Sequence, residues 1–132
     1  MEQQRIKFAK IGSNNWVEIA QPDEELSFDW ETTYSEDSGR VQTGENYVKP
    51  LFTVEAYGYT NTQGLTVKEV STILKFIAKG KKFKMWHFSP YYGEWRSDEF
   101  YVGQGNITIK TLKKGEERLQ GLSFQLTGVK PI

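Results

Sequence analysis

The sequence contains no cysteine and a single histidine, His87. Without thiols the chain can form no disulfide, no thiolate metal site and no cysteine nucleophile. One histidine cannot supply a histidine-rich metal centre, and within the segment 86–88 we interpret it as an ordinary surface or partly buried side chain. The composition therefore predicts no metal site and no cofactor.

Long apolar runs and an excess of one charge sign are also missing. No stretch has the length and apolar character of a membrane span, and the polar residues 1–5 carry no signal-peptide pattern. Basic and acidic residues number 17 each, so the formal net charge is zero. We therefore expect no membrane association and no sequence-specific binding of DNA. The length of 132 residues is typical of one domain, so residues 1–132 are predicted to form a single domain.

Catalytic motifs are absent as well. His87 has no Gly-x-Ser-x-Gly elbow as a partner, and the glycine-rich segment 103–106 lacks the Lys-Ser/Thr of a phosphate loop, so we interpret it as a turn. Asp29 and Glu31 lie on one strand face, about 7 Å apart by strand geometry. That spacing is compatible with the acid pair of a glycosidase, which we keep as an alternative function. Acidic residues on a solvated strand face are nevertheless common. No catalytic residue is predicted.

Aromatic side chains are abundant: they make up 14% of the chain, with 4 Trp, 7 Tyr and 8 Phe. Aromatic residues favour both strands and interfaces, because each carries a large apolar area on few rotatable bonds. Most are expected to form a β core. Six are candidate interface aromatics, which could also stack on sugar rings or bases: Tyr57, Tyr59, Tyr91, Tyr92, Trp95 and Tyr101.

Alternation of apolar and polar residues predicts a mainly β chain. Residues 6–11 and 16–19 flank a Gly-Ser-Asn-Asn turn and predict an N-terminal hairpin. In the segment 26–34, every second residue is apolar or threonine, and we expect this face to be buried: Leu26, Phe28, Trp30, Thr32 and Tyr34. Further strands are predicted at 51–59, 82–89, 95–103, 107–111 and 119–127.

A single helix is predicted between the strands at 51–59 and 82–89. Thr66, with Glu69 three positions later, forms a capping box, and Gly80 is a natural C-terminal stop. The apolar residues at helical spacing are Val67, Val70, Leu74 and Ile77. Together these elements predict a β-sandwich or barrel flanked by one α-helix.

Residues 35–49 interrupt the pattern between two strong strands. This polar stretch is long for a connection inside a sheet, since hairpin loops usually run about 2–5 residues. Loops of this length are usually functional or disordered, and we take this one as the most informative segment of the chain. The loop residues are Asp37, Ser38, Gly39, Arg40, Val41, Gln42, Thr43, Gly44, Glu45 and Asn46.

The elements follow one another in a familiar order. A strand, a polar loop with Ser38-Gly39-Arg40, a second strand, a capped helix and an aromatic strand precede the Pro-x-x-Gly turn at 90–93 and the segment 100–103. In order and spacing, residues 26–128 resemble a family of small structural proteins encoded in the tail gene clusters of long-tailed bacteriophages and prophages. The chain departs from that pattern at Ser89, where relatives have Asp, but serine can make the same turn contact.

The resemblance implies the tail-tube and distal-tail fold with an extended, hairpin-like loop. With it, residues 37–46 are interpreted as an oligomerisation loop that adds backbone hydrogen bonds at a neighbour's sheet edge, where Arg40 pairs with carboxylate or carbonyl groups. The resemblance also implies a homo-oligomer, commonly a hexameric ring, stacked with other tail proteins into a conduit for DNA. The protein would be a tube, tube-end or baseplate-hub subunit of the virion tail, made in the host bacterial cytoplasm. The alternative function is a carbohydrate-binding module that uses Tyr91, Tyr92 and Trp95 as a stacking platform.

Overall fold

The computed structural model describes residues 5–22, 26–34, 39–40, 46–47 and 50–132. The described chain is mostly β with one helix, as the sequence predicts. The elements are β1 (Lys7–Ala9), β2 (Val17–Glu18), β3 (Ser27–Tyr34), β4 (Gly39–Arg40), β5 (Asn46–Tyr47), β6 (Pro50–Asn61), α1 (Val67–Ile77), β7 (Phe83–Ser89), β8 (Glu94–Tyr101), β9 (Gly105–Thr111) and β10 (Arg118–Gly128).

Eight of these strands form one open antiparallel sheet. Its order is β2-β1-β7-β8-β10-β6-β3, with β9 paired to β10 outside this path, while β4 and β5 pair only with each other among the described strands. The long strand β10 pairs with β9 through its first half and with β8 through its last two residues. The register shifts near Gly121, whose φ of 76° provides the left-handed conformation that a bulge requires.

The sheet curls, so that strands distant in its order face each other across the core. The ring of Tyr57 on β6 packs against His87 on β7, with 5.0 Å between ring centroids, although β8 and β10 separate these strands in the sheet. The same ring contacts Phe100 on β8 at 5.6 Å. Helix α1 adds Ile73 and Ile77 to this core. The predicted β architecture with one flanking helix is thus confirmed, in the form of a curled open sheet.

Short-range signals correctly predicted the helix and the first hairpin. Thr66 Oγ1 accepts a hydrogen bond from the Glu69 backbone at 3.2 Å, and Glu69 Oε1 accepts one from the Thr66 backbone at 3.0 Å. Gly80 follows the helix with a φ of 70°. Strands β1 and β2 form the antiparallel hairpin. Among the described residues, no helix has the length and apolar character that crossing a bilayer requires.

Strand β3 forms where predicted, but the face expected to be buried is largely open. Leu26 and Phe28 are half-buried, whereas Trp30 is 67% and Tyr34 is 51% exposed. Strand β3 pairs with β6 along its whole length, while β10 pairs only with residues 56–61 of β6. The far end of the β3–β6 pair therefore extends past the third strand, which is why the predicted burial is wrong there.

Candidate functional site

A cluster of polar side chains lies inside the curled sheet. Glu55 comes from β6, His87 from β7 and Asp98 from β8. The side chains of His87 and Glu55 are 0% and 3% exposed, and that of Asp98 is 26% exposed at the rim. Because β6 is not a neighbour of β7 or β8 in the sheet order, the curl of the sheet brings these groups together.

The position of His87 corrects the expectation of a surface or partly buried side chain. As strand alternation predicts, the side chain of His87 points to the other face of β7 from those of Trp86 and Phe88. The face that carries His87 and Met85 is the one that is packed in the core. Phe88, the larger apolar neighbour, is 45% exposed on the outer side. The expectation was wrong because alternation shows which residues share a face without showing which face is covered.

Sequence reasoning gave no role to Glu55 or Asp98. One signal could have indicated Glu55: it is the single carboxylate in the segment 51–59, whose other residues are typical of a core strand. A charged residue in such a strand is buried only with partners. The partners come from β7 and β8, so their identity depended on the tertiary fold.

Two hydroxyl groups hold the Glu55 carboxylate. Tyr57 Oη donates to Oε2 at 3.1 Å, and Ser89 Oγ donates to the same oxygen at 3.3 Å. Burial alone would raise the pKa of Glu55, but His87, Tyr57 and Ser89 outweigh it and hold this pKa below its ordinary value. Burial, together with the charge of Glu55, raises the pKa of Tyr57, which remains a donor. Glu55 is therefore a charged group inside the core.

The imidazole of His87 is oriented by a hydrogen bond from Nδ1 to the backbone. Nδ1 lies 3.1 Å from the carbonyl oxygen of Met85, and because a carbonyl only accepts, Nδ1 carries the hydrogen. Nε2 then faces Glu55 Oε1 at 3.6 Å and Asp98 Oδ2 at 3.4 Å. A neutral Nε2 would direct its lone pair at two carboxylate oxygens. The position therefore requires a positive partner, either a proton on Nε2 or a cation.

The rim of the cluster opens to solvent. Arg96 Nε lies 3.0 Å from Asp98 Oδ2, and its guanidinium group lies over the ring of Tyr92, 3.7 Å from the centroid. With residues 130–132 these side chains line an open cleft of about 250 Å³ that reaches Glu55 and Asp98. The Asp98 carboxylate thus lies between the buried imidazole of His87 and the solvent-filled cleft.

The six aromatic residues predicted at interfaces divide into three groups by burial. Tyr57 and Tyr59 are each 1% exposed and fill the chain's own core, so for these two the prediction is wrong. Trp95 is half-buried. The exposed members are Tyr91 at 60%, Tyr92 at 42% and Tyr101 at 40%.

The residues of the proposed sugar platform do not form one flat surface. The rings of Tyr91 and Tyr92 stand at 86° to each other, with centroids 4.9 Å apart, and Arg96 covers one face of Tyr92. Trp95 stacks instead on Trp86, at an interplanar angle of 26°. Since stacking on a sugar ring requires an accessible aromatic face, this geometry does not favour the carbohydrate alternative.

Asp29 and Glu31, the acid pair of the glycosidase alternative, lie on one face of β3 as predicted. Both are exposed, and their cross-strand neighbours are Ala56 and Val54. These surroundings are those of a solvated strand face.

An exposed ribbon is formed by residues 30–34 of β3 and 50–54 of β6, and it begins where Trp30 pairs with Glu55 of the polar cluster. The chain end touches the ribbon where the Ile132 backbone donates to the Thr53 carbonyl at 2.8 Å. Strand β3 is the last in the sheet order, so its outer backbone groups form an open edge of the described sheet. Its exposed large apolar residues are Trp30 at 67%, Tyr34 at 51%, Leu51 at 62% and Phe52 at 45%.

The predicted oligomerisation loop, 37–46, falls mostly outside the described residues. Strand β4, inside the loop, pairs in antiparallel fashion with β5 at its end, Gly39 opposite Tyr47 and Arg40 opposite Asn46. Residues 37, 38 and 41–45 lie outside the described part of the chain, and the role of the loop stays a prediction.

Comparison with known proteins bears on the fold. No protein-family model and no curated protein match the sequence. Among solved structures, the chain is similar to one from the tail of an empty GTA (gene transfer agent) particle, computed with helical refinement in C6 symmetry. The TM-score is 0.51 at 16% sequence identity, and the match covers 98% of this chain and 96% of the other. The chain thus shares its fold, over nearly its whole length, with a protein from a phage-like tail.

Proposed function

We propose that this chain is a structural subunit of a phage-like tail that assembles with copies of itself into a ring. The observation that carries the proposal is the fold match to a tail chain of a C6-symmetric particle. Because the match takes in nearly all of both chains, the similarity is to the whole described fold and not to a local motif.

The exposed ribbon gives a physical reason for association. Among the described strands, residues 50–54 of β6 pair with β3 alone. Two strands without a third neighbour are marginally stable in water, and clustered exposed apolar side chains mark interaction surfaces. A second copy seated on β3 would cover Trp30 and Leu51 and pair with the open sheet edge. A net charge of zero keeps like-charge repulsion between copies small.

In such a ring, the loop 37–46 reaches the next subunit, where Arg40 meets carboxylate or carbonyl groups. Six copies per ring would match the symmetry of the similar tail. The rings stack with other tail proteins into a conduit that DNA crosses without sequence-specific contacts. The subunit belongs to the tube, the tube end or the baseplate hub of the virion tail, and it performs no catalysis.

Association of the purified, untagged chain tests this function. We expect the mass from light scattering to rise with protein concentration, and negative-stain images to show rings. A sample that stays monomeric at high concentration and binds no other tail protein would contradict the proposal.

Matched variants locate the interface. The double substitution Trp30→Ser with Leu51→Ser should weaken association at least about tenfold, since buried tryptophan side chains are frequent hot spots. The control is Leu112→Ser, which removes an apolar residue 85% exposed between β9 and β10 and should leave association unchanged. Deleting residues 37–46 tests the loop separately: unchanged rings would remove its role and leave the ring itself intact.

A further inference from the structure

The polar cluster contains an unpartnered nitrogen in a fully buried side chain. Within the described chain, His87 Nε2 has no hydrogen-bond partner, although His87 is 0% exposed. Such buried groups are uncommon and require an explanation. Nε2, one oxygen of Glu55 and one oxygen of Asp98 all lie within 4.8 Å of one another. We propose that these three side chains bind a divalent transition-metal ion, for which zinc is the best fit.

The distances favour an ion over direct hydrogen bonds. Nε2 is 3.4 Å from Asp98 Oδ2 and 3.6 Å from Glu55 Oε1. Hydrogen bonds from nitrogen to oxygen are shorter, about 2.7–3.2 Å. Two ligands held about 2.0–2.2 Å from a tetrahedral zinc ion lie about 3.3–3.6 Å apart. The separations of Nε2 from the two carboxylate oxygens are therefore those of ligands around an ion, and the carboxylate oxygens lie within 4.8 Å of each other.

The surrounding contacts orient the ligand atoms. Histidines that bind metals usually donate their other ring N–H to a carbonyl or carboxylate, and Nδ1 of His87 does so to Met85. Tyr57 and Ser89 both donate to Oε2 of Glu55, which leaves Oε1 directed at Nε2. Both buried ligands are thus fixed before any ion arrives.

The types of ligand atom and the exposure of Asp98 indicate which ion the site would bind. One imidazole with two carboxylates suits zinc better than calcium or magnesium, which prefer oxygen ligands alone. Asp98, 26% exposed beside the open cleft, gives the ion a way in and leaves a position for water. Since the ligands come from β6, β7 and β8, the ion would join the facing parts of the curled sheet.

A proton on Nε2 is the competing occupant, and the single histidine makes the two distinguishable. The experiment uses the untagged full chain, treated with EDTA, dialysed and titrated with zinc chloride by calorimetry. Nitrogen-15 NMR then follows the only imidazole. We expect saturable binding of one zinc ion per chain, with Nε2 losing its proton or shifting while Nδ1 keeps its hydrogen. Absence of saturable heat, with both ring nitrogens protonated in excess zinc, would overturn the proposal.

Two variants assign the binding to this site. Asp98→Asn, at the partly exposed position, should weaken zinc binding at least about tenfold while far-UV circular dichroism stays unchanged. Glu116→Gln removes an exposed carboxylate in the turn before β10 and should bind zinc as the unchanged chain does. Equal affinity in Asp98→Asn and the unchanged chain would overturn the assignment, and if Asp98→Asn does not fold, His87→Gln replaces it under the same criterion. None of these results depends on ring formation.

Discussion

Removing the hydroxyl group of Tyr57 should destabilise the chain more than removing that of Tyr59. Both residues are 1% exposed, and in each case substitution by phenylalanine deletes one oxygen atom. The acceptors differ in charge. Tyr57 Oη donates to the Glu55 carboxylate at 3.1 Å, whereas Tyr59 Oη donates to the neutral backbone carbonyl of Ala20 at 2.6 Å. The pair of variants therefore isolates the contribution of a charged acceptor inside the core.

The expected sizes follow from the two kinds of hydrogen bond. Bonds to charged groups contribute about 1.5–3 kcal/mol to stability, and bonds between neutral groups about 0.5–1.5 kcal/mol. Tyr57→Phe also leaves Ser89 Oγ, at 3.3 Å, as the remaining donor to Oε2 among the described residues. We expect the free energy of unfolding to fall by about 2–3 kcal/mol for Tyr57→Phe and by about 1 kcal/mol for Tyr59→Phe. At this chain length these losses lower the Tm by about 6–12 °C and about 3–4 °C.

Urea unfolding, followed by tryptophan fluorescence, measures both losses. The buffer contains EDTA, and each curve is repeated at several protein concentrations, so that neither a bound cation nor self-association contributes to the difference. An equal loss in the two variants, or a larger one in Tyr59→Phe, would refute the reasoning that Glu55 is a charged acceptor held by Tyr57.

Two further predictions concern packing. Ile73→Ala, at a side chain that is 0% exposed, should lower the free energy of unfolding, measured in urea, by about 2–5 kcal/mol. Leu112→Ala, at a side chain that is 85% exposed, should change it by less than about 0.5 kcal/mol. Equal effects would contradict the packing of α1 on the core. Gly128→Ala places a Cβ 3.0 Å from the backbone oxygen of Glu55 and should cost about 1–3 kcal/mol, whereas the Cβ of Gly103→Ala meets nothing within 4 Å. Thermal unfolding compares the two glycine variants, and an unchanged Tm for Gly128→Ala would show that β10 can move away from β6.

The sequence predicted those parts of the fold whose signals lie within a few residues. The capping box of Thr66 and Glu69 fixes the start of α1, and its two hydrogen bonds are present. The turn at 90–93 separates β7 from β8, which then pair residue by residue from Phe83 opposite Phe100 to Ser89 opposite Glu94. Such signals act on the chain locally and need no knowledge of what packs above it.

Burial could not be predicted in the same way. Alternation placed Phe28 and Trp30 on one face of β3, but whether that face is covered depends on how far β10 runs along β6. The same limit applies to His87, which shares no local pattern with Glu55 or Asp98. Their meeting depends on the curl of the whole sheet, which no short stretch of sequence encodes.

The polar cluster and the exposed ribbon are connected through β6. Residues 56–61 of this strand pair with β10 inside the sheet, residues 50–54 belong to the ribbon, and Glu55 lies between these two parts. The contacts of Glu55 with Tyr57, Ser89 and His87 therefore anchor the root of the ribbon to the core. A ribbon with a fixed root loses less conformational freedom when a neighbouring subunit binds it, because its direction is already set. This gives a reason for a buried charge at position 55: an apolar residue could fill the space, but it could not bond to groups on the facing strand β7 and so set that direction.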